Sequence, residues 1–218
     1  MAPQSQLYGR TLTHGSDPAQ IALTYDDGPN DPYTLQLLEL LDKHQARATF
    51  FLIGKYVRQH PDIVRTIHQA GHAIGNHTEN HPNLIFVPAS RLRQELESCS
   101  RAIEDATSAT VSLFRPPFGG RRPAVLHVAR SLGLTPVMWS VTAYDWKARS
   151  SEEIVRKVSR SLGTRRRPQG EIILLHDGSH LKFGAERNFT IQATSTLLEE
   201  YSAQGRRFAD VTELNGFS

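Results

Sequence analysis

Short apolar runs rich in β-branched and aromatic residues alternate along this chain with longer segments whose apolar positions recur three and four residues apart. The first kind suits a strand buried on both faces, and the second a helix with one face against a core. Seven runs predict strands: Ile21–Tyr25, Ala48–Ile53, His72–Asn76, Val111–Phe114, Pro136–Val141, Glu171–Leu175 and Arg207–Val211. Between them the spacing predicts amphipathic helices over Tyr33–His44, Asp62–Ala70, Ala89–Ala106, Pro123–Leu132, Ser151–Leu162 and Thr190–Gln204. Boundary residues agree with this division. Pro61 opens a helix, Ser151 stands as an N-cap ahead of Glu152 and Glu153, and Gly71, Gly133 and Gly205 follow helix ends.

Strand, helix and strand repeated in this way imply parallel strands joined by crossovers, in an open sheet or a closed barrel, and periodicity does not choose between them. A length of 218 residues, with no internal repeat, low-complexity tract or linker, predicts one α/β domain over residues 1–218. No stretch approaches the ~18 apolar residues of a membrane helix, so no membrane span is expected. The start, MAPQSQLYGRTLTHG, lacks the apolar run of a secretion signal. Location stays open: cytoplasmic if the chain is full-length, cell envelope or secreted if a leader was removed. Net charge is only +3, and the one dense basic run, Arg165–Arg167, reads as a solvated loop before Pro168, so no nucleic-acid partner is expected. The single cysteine, Cys99, has no partner for an internal disulfide and lies in a helical stretch as a structural thiol.

Parallel α/β folds gather reactive groups at the C-terminal ends of their strands. Five of the seven predicted strands end on such groups: Asp26 and Asp27; His77 and His81; Arg115; Asp145 and Trp146; His176 and Asp177. In YDDGP two successive carboxylates at a strand end point in different directions, so one is free for a metal and the other for protons. Alone, DDGP reads equally as a turn with capped backbone amides. His77 and His81, four apart, reach one side of a single turn, and Pro82 keeps that turn short by disfavouring the α region at His81. With Asp27 they make two neutral nitrogens and a carboxylate, a metal set with room for water; surface or capping histidines are the plain alternative.

His176 ends the apolar run EIILL and suits a general acid with Asp145 as its carboxylate partner. Trp146 reads as a cleft wall on which a sugar ring can stack, and the amide of Phe118 is the first free N–H after two prolines in RPPF, a donor for an oxyanion. His180 lies in the loop after the His176 strand, within reach of the site. His14, His44, His60, His68 and His127 sit in polar surroundings, and His72 reads as a structural residue.

Taken in order, TYDDGP, HTENH, RPPFGG, YDWK and IILLHD resemble the five motifs of the NodB-homology polysaccharide deacetylases, carbohydrate esterase family four, over about Ala22 to Asp177. The resemblance implies a distorted (β/α) barrel, often of seven strands. It also implies roles: Asp26 as general base, Asp27, His77 and His81 as metal ligands, and Arg115 holding the base. The Phe118 amide would lie at the oxyanion, Asp145 would tune the acid His176, Trp146 would form the groove wall and Leu174 would line the acetyl-methyl pocket.

The implied cofactor is a divalent cation, zinc first, with cobalt, manganese and nickel as alternatives. The implied reaction is hydrolysis of acetyl groups from N-acetylated amino sugars of a peptidoglycan-type or chitin-type glycan, with oligomeric state open. Two positions depart from the family pattern: Thr142 stands where an aspartate is common, and Phe118 where a tyrosine is common. The rivals are a small cyclic amide as substrate, an O-acetylated xylan, and a catalytically silent carbohydrate-binding protein.

Overall fold

The computed structural model describes residues 4–164 and 169–214, so the basic run Arg165–Arg167 lies outside the described residues. In chain order the elements are β1 (His14–Gly15), β2 (Gln20–Gly28), α1 (Tyr33–Lys43), β3 (Ala48–Leu52), α2 (Gly54–Gln59), α3 (Pro61–Gln69), β4 (Ala73–Asn76) and α4 (Ala89–Thr107). They continue with β5 (Leu113–Phe114), α5 (Pro123–Ser131), β6 (Thr135–Pro136), β7 (Val141–Thr142), α6 (Ser151–Gly163), β8 (Gly170–His176), α7 (Asn188–Ala203) and β9 (Arg207–Phe208). Among the described residues the strands form one sheet along the path β1-β8-β2-β3-β4-β5-β6, with β7 added on β8 and β9 on β2. Every pairing is parallel except β1 on β8.

The curled, seven-strand path is the distorted barrel the motifs imply, and the run predicted as one strand over Pro136–Val141 shows how it curls. Its start pairs with β5, where the Val137 amide donates to Phe114 O (2.8 Å), and its end with β8, where Ser140 N donates to Ile172 O (2.9 Å). A segment that changes neighbours midway cannot keep one register, so it divides into β6 and β7 and bridges the gap between the two sides. Three other expectations change. The N-cap of α6 is Ser150, whose hydroxyl accepts from Glu153 N, and Ser151 is the first helical residue. The strand expected over Arg207–Val211 stops at Phe208, and Val211 enters a turn capped by Asp210. The elements β1 and α2, two and six residues long, fall below what hydrophobic spacing resolves. Gly71, Gly133 and Gly205 end their helices at φ 76°, 72° and 77°, the left-handed conformation expected of them.

Side-chain alternation divides the apolar residues into two cores. Ile21, Leu23 and Tyr25 of β2, Phe50 and Leu52 of β3, and Ile173 and Leu175 of β8 face the helices in a large outer cluster. Ala22, Phe51, Leu113, Val137 and Ile172 form a smaller cluster inside the barrel. At about 1.5–3 kcal/mol for each large apolar side chain fully buried, the outer cluster carries most of the stabilisation, and the upper interior is free for polar groups. Each interior row turns polar as it climbs: Ala22, Thr24, Asp26; Leu113, Arg115; Ile172, Leu174, His176. A one-residue insertion in β8 would turn His176 out to the helices. Cys99 is buried in α4, its thiol donating to Leu52 O (3.3 Å) and pushed by burial to a pKa of about 12, as expected of a structural thiol.

Candidate metal and active site

Asp27 reaches the barrel mouth through an irregularity that strand alternation does not foresee. In the β2–β3 pairing Asp26 lies opposite Phe51 and Gly28 opposite Leu52, so Asp27 is an extra, bulged residue, held at φ 75°. A bulge re-aims a side chain, and here it corrects the expectation that the two carboxylates point apart. Both converge on His77: Asp26 Oδ2 lies 3.7 Å and Asp27 Oδ1 3.6 Å from its Nε2. Asp27 Oδ1 is also 3.2 Å from His81 Nε2.

Thr78, His81 and Phe118 share the left-handed conformation, at φ 69°, 57° and 56°. For non-glycine residues this costs about 1–3 kcal/mol each and persists only where surrounding structure fixes it. Asn76 Oδ1 accepts from Thr78 N (2.8 Å) and Thr78 Oγ1 from His81 N (3.0 Å), which fixes the His77–His81 turn. His81 thus leaves the α region, as Pro82 requires, by the left-handed route.

One ligand atom from each of Asp27, His77 and His81 lies within 4.8 Å of the others, and all three residues are buried. His77 Nδ1 stands 2.7 Å from Arg115 O, so that nitrogen carries the proton and Nε2 presents a lone pair. Burial pulls the His77 pKa down to about 4 against the pull of Asp26, so the imidazole is neutral. Burial opposes the charge on Asp27, but the imidazoles of His180 and His81 hold its carboxyl well below the usual range. Its Oδ1 is buried and accepts no hydrogen bond among the described residues. Two imidazole nitrogens and an unsatisfied buried carboxylate oxygen fit a divalent cation.

Asp26 rests on Arg115, a fully buried guanidinium whose Nη1 donates to Asp26 Oδ1 (2.8 Å) and Thr24 Oγ1 (2.7 Å). The other guanidinium donors meet Met138 O (2.9 Å) and Val137 O (3.4 Å), and the group lies 4.1 Å from the centre of the Phe51 ring. Burial lowers the Arg115 pKa, and Asp26 offsets part of that shift. Such a pair is tolerated because its donors are satisfied.

Asp145 receives His176 twice: Oδ1 lies 2.8 Å from the ring Nδ1, and Oδ2 accepts from the backbone N–H (2.8 Å). Thr190 Oγ1 adds a third bond to Oδ2 (3.0 Å). Burial alone would depress the His176 pKa, but the Asp145 carboxylate outweighs it and pushes the value up to about 9. Asp145 shows the converse: burial raises its pKa, and His176 more than reverses this.

Trp146, 41% exposed, sets its ring at an angle to His176 with centroids 4.8 Å apart. Beside it a cleft of about 210 Å³ runs past Glu186, Asn188 and Phe189. Leu174 is buried on the interior face two residues before His176. Phe118 stands 61% exposed, edge-on to His81 (4.6 Å); the Gly119 and Gly120 amides close the turn that contains it, and its own amide takes no part in that bonding.

All the expected site residues therefore line one mouth. Sequence reading did not foresee Thr190 behind Asp145, nor Asn30, whose amide donates to Asp177 O and Ala185 O. Asn30 lies in no motif or periodic position, and Thr190 heads the buried row of its helix, where a threonine reads as packing. Asp177 is buried and accepts from Thr34 Oγ1, and burial raises its pKa to about 7. His180 lies against His81 and Asp27.

This chain belongs to the polysaccharide deacetylase family, whose model matches residues 14–137. It is 37% identical over 196 residues to a peptidoglycan-N-acetylglucosamine deacetylase of Bacillus cereus, covering 89% of this chain and 87% of that one. To a chitooligosaccharide deacetylase of Azorhizobium caulinodans it is 38% identical over 161 residues, covering 73% and 74%. The solved structure of a peptidoglycan N-acetylglucosamine deacetylase in complex with 4-naphthalen-1-yl-N-oxidanyl-benzamide superposes with a TM-score of 0.86 at 29% identity, covering 95% of this chain and 93% of that one.

Proposed function

We propose that this chain hydrolyses the acetamide of N-acetylated amino sugars in a peptidoglycan-type or chitin-type glycan, with a divalent cation, zinc first, held by Asp27, His77 and His81. The observation that carries this reading is the pair of proton-handling groups flanking that triad: a carboxylate charge-paired with Arg115 on one side and an imidazolium held by Asp145 on the other. Amide hydrolysis needs a base for water and an acid for the departing nitrogen, and both must be present before reaction.

A bound divalent cation supplies Lewis-acid polarisation of the acetyl carbonyl and lowers the pKa of water. Asp26, with Oδ1 engaged by Arg115, offers Oδ2 to the proton of the attacking water. The oxygen adds to the acetyl carbon, and the Phe118 N–H donates to the oxyanion that forms. His176, fixed through Nδ1, gives the proton on its other nitrogen to the leaving amine as the carbon–nitrogen bond breaks. Acetate and a free amino sugar result, and the proton taken by Asp26 balances the one given by His176. Leu174 closes around the methyl group, and Trp146 stacks on the sugar. Thr142 is half-buried beside Leu174 on β7, so the departure from the family's aspartate leaves these groups in place.

The exposed faces of Trp146 and Phe118 and the cleft beyond Trp146 favour an extended glycan over a small cyclic amide. The test is acetate release from chito-oligosaccharide, peptidoglycan fragments and acetylated xylan, beside turnover of a cyclic amide, in chelator and after adding metal back. The expected result is acetate from the N-acetylated glycans, lost in chelator and restored by zinc or cobalt. Turnover of the cyclic amide alone, or acetate from xylan alone, would replace the proposal.

A further inference from the structure

The loop between β8 and α7 has no regular structure, yet it is fastened along its length. Asn30 Nδ2 donates to Asp177 O (2.8 Å) and Ala185 O (2.9 Å), and Asn30 Oδ1 accepts from Gly184 N (2.6 Å). Tyr56 OH donates to Ser179 O (3.1 Å), Lys55 Nζ to His180 O (3.0 Å), and Phe183 stacks on His60 with centroids 3.9 Å apart. These anchors satisfy backbone groups that a free loop would leave to water. They deliver the His180 ring to the metal triad: Nδ1 lies 3.6 Å from Asp27 Oδ2, and the ring stacks on His81 at 4.3 Å and 16°.

His180 does not have the geometry of a fourth ligand. A ligating imidazole points a ring-nitrogen lone pair in its own ring plane at the metal, so a cation held by His81 would be met by His81 Nε2 along that plane. With the two rings stacked within 16° of parallel, the His180 lone pairs run alongside the His81 plane and not toward a group that His81 would hold. The two triad histidines also differ in support. His77 is oriented by its Nδ1 on Arg115 O, whereas His81 Nδ1 is buried without a hydrogen-bond partner among the described residues. Packing must orient His81: its ring meets His77 and Phe118 at steep angles and stacks face to face only on His180.

We infer that His180 is a positioning residue for the metal: its ring fixes the plane of His81, and its Nδ1–H takes Oδ2 of Asp27 so that Oδ1 is left to ligate. Oδ1 is the oxygen that faces both triad imidazoles. At 3.6 Å the His180–Asp27 pair stands just outside hydrogen-bonding distance, within a small side-chain rotation of it. The inference rests on the proposed metal site, which the same experiment tests separately.

The experiment is cobalt(II) titration of the metal-free protein, following affinity by calorimetry and coordination by the visible absorption of the bound ion, for wild type, His180→Ala, His180→Phe and His81→Ala. His180→Ala should bind cobalt about 10–100-fold more weakly, the usual cost of losing a group that orients ligands. Its spectrum should keep the wild-type band intensity, and His180→Phe, which restores a stacking face without the donor, should fall between. Melting temperatures in chelator identify any variant that has lost its fold, and His180→Phe keeps the test decisive if the alanine variant has. Unchanged affinity in both His180 variants, or a spectrum altered as in His81→Ala, would overturn the inference. Failure of wild type to bind cobalt would instead overturn the metal site itself.

Discussion

Replacing Asp145 by asparagine removes the charge that keeps His176 protonated while preserving the shape of the side chain. In the wild-type site burial pulls the His176 pKa down and the Asp145 carboxylate more than compensates, lifting it from 6.5 to about 9. At about 1.4 kcal/mol per pH unit, that difference stabilises the imidazolium by about 3–4 kcal/mol. Without the Asp145 carboxylate the main cause opposing burial is gone, and the pKa falls toward the ordinary value of 6.5.

The protonated fraction at pH 8 then drops from about 0.9 to about 0.03, a roughly 30-fold loss, whereas at pH 5.5 about 0.9 of the variant is still protonated. The loss in kcat/KM should therefore grow with pH, and the basic limb of the profile should move down by about 2.5 pH units. The assay is initial acetate release from a chito-oligosaccharide between pH 5 and 10 at saturating metal, with near-ultraviolet circular dichroism to establish that the variant is folded. A loss by the same factor across the whole range would refute the claim that Asp145 acts by holding a proton on His176.

Arg115→Leu should cost about 3–5 kcal/mol of unfolding free energy in urea, because it leaves the Asp26 carboxylate buried without its partner. Arg115→Lys keeps the charge but loses the fork that reaches Asp26, Thr24 and Met138 together, and should recover less than half of that stability. Gly178→Ala would place a Cβ 2.2 Å from the carbonyl oxygen of Asp27 and 2.6 Å from its carbon, both backbone atoms of a proposed ligand. Cobalt titration should show weaker binding in that variant, while Gly163→Ala, with nothing within 4 Å, should leave binding unchanged.

Asp26, His77, Arg115 and His176 were legible from sequence because each continues the interior row of a recognisable strand. Alternation of period two assigns their face before any contact is known. Asp27 was legible as a candidate ligand through its company, but its direction was not. Reaching the same histidine as Asp26 depends on a bulge, and DDGP carries no signal for one extra residue against β3. His180 was legible as within reach of the site, but its contacts and the part of Asn30 were not, because the loop is shaped by hydrogen bonds from distant side chains to its own backbone and not by any local pattern. The closure of the sheet was hidden for a related reason: the predicted strand over Pro136–Val141 has one hydrophobic pattern but two different neighbours.

The account stands most directly on Asp26→Asn compared with wild type in one acetate-release assay, with bound zinc measured in the same samples. Asparagine keeps the shape beside Arg115 and leaves Asp27, His77 and His81 untouched, so zinc content should match wild type. Acetate release from N-acetylated chito-oligosaccharide should fall by about 10²–10⁴-fold, the usual contribution of a positioned base. Acetate released by the zinc-loaded variant at the wild-type rate, or none released by zinc-loaded wild type, would contradict the account.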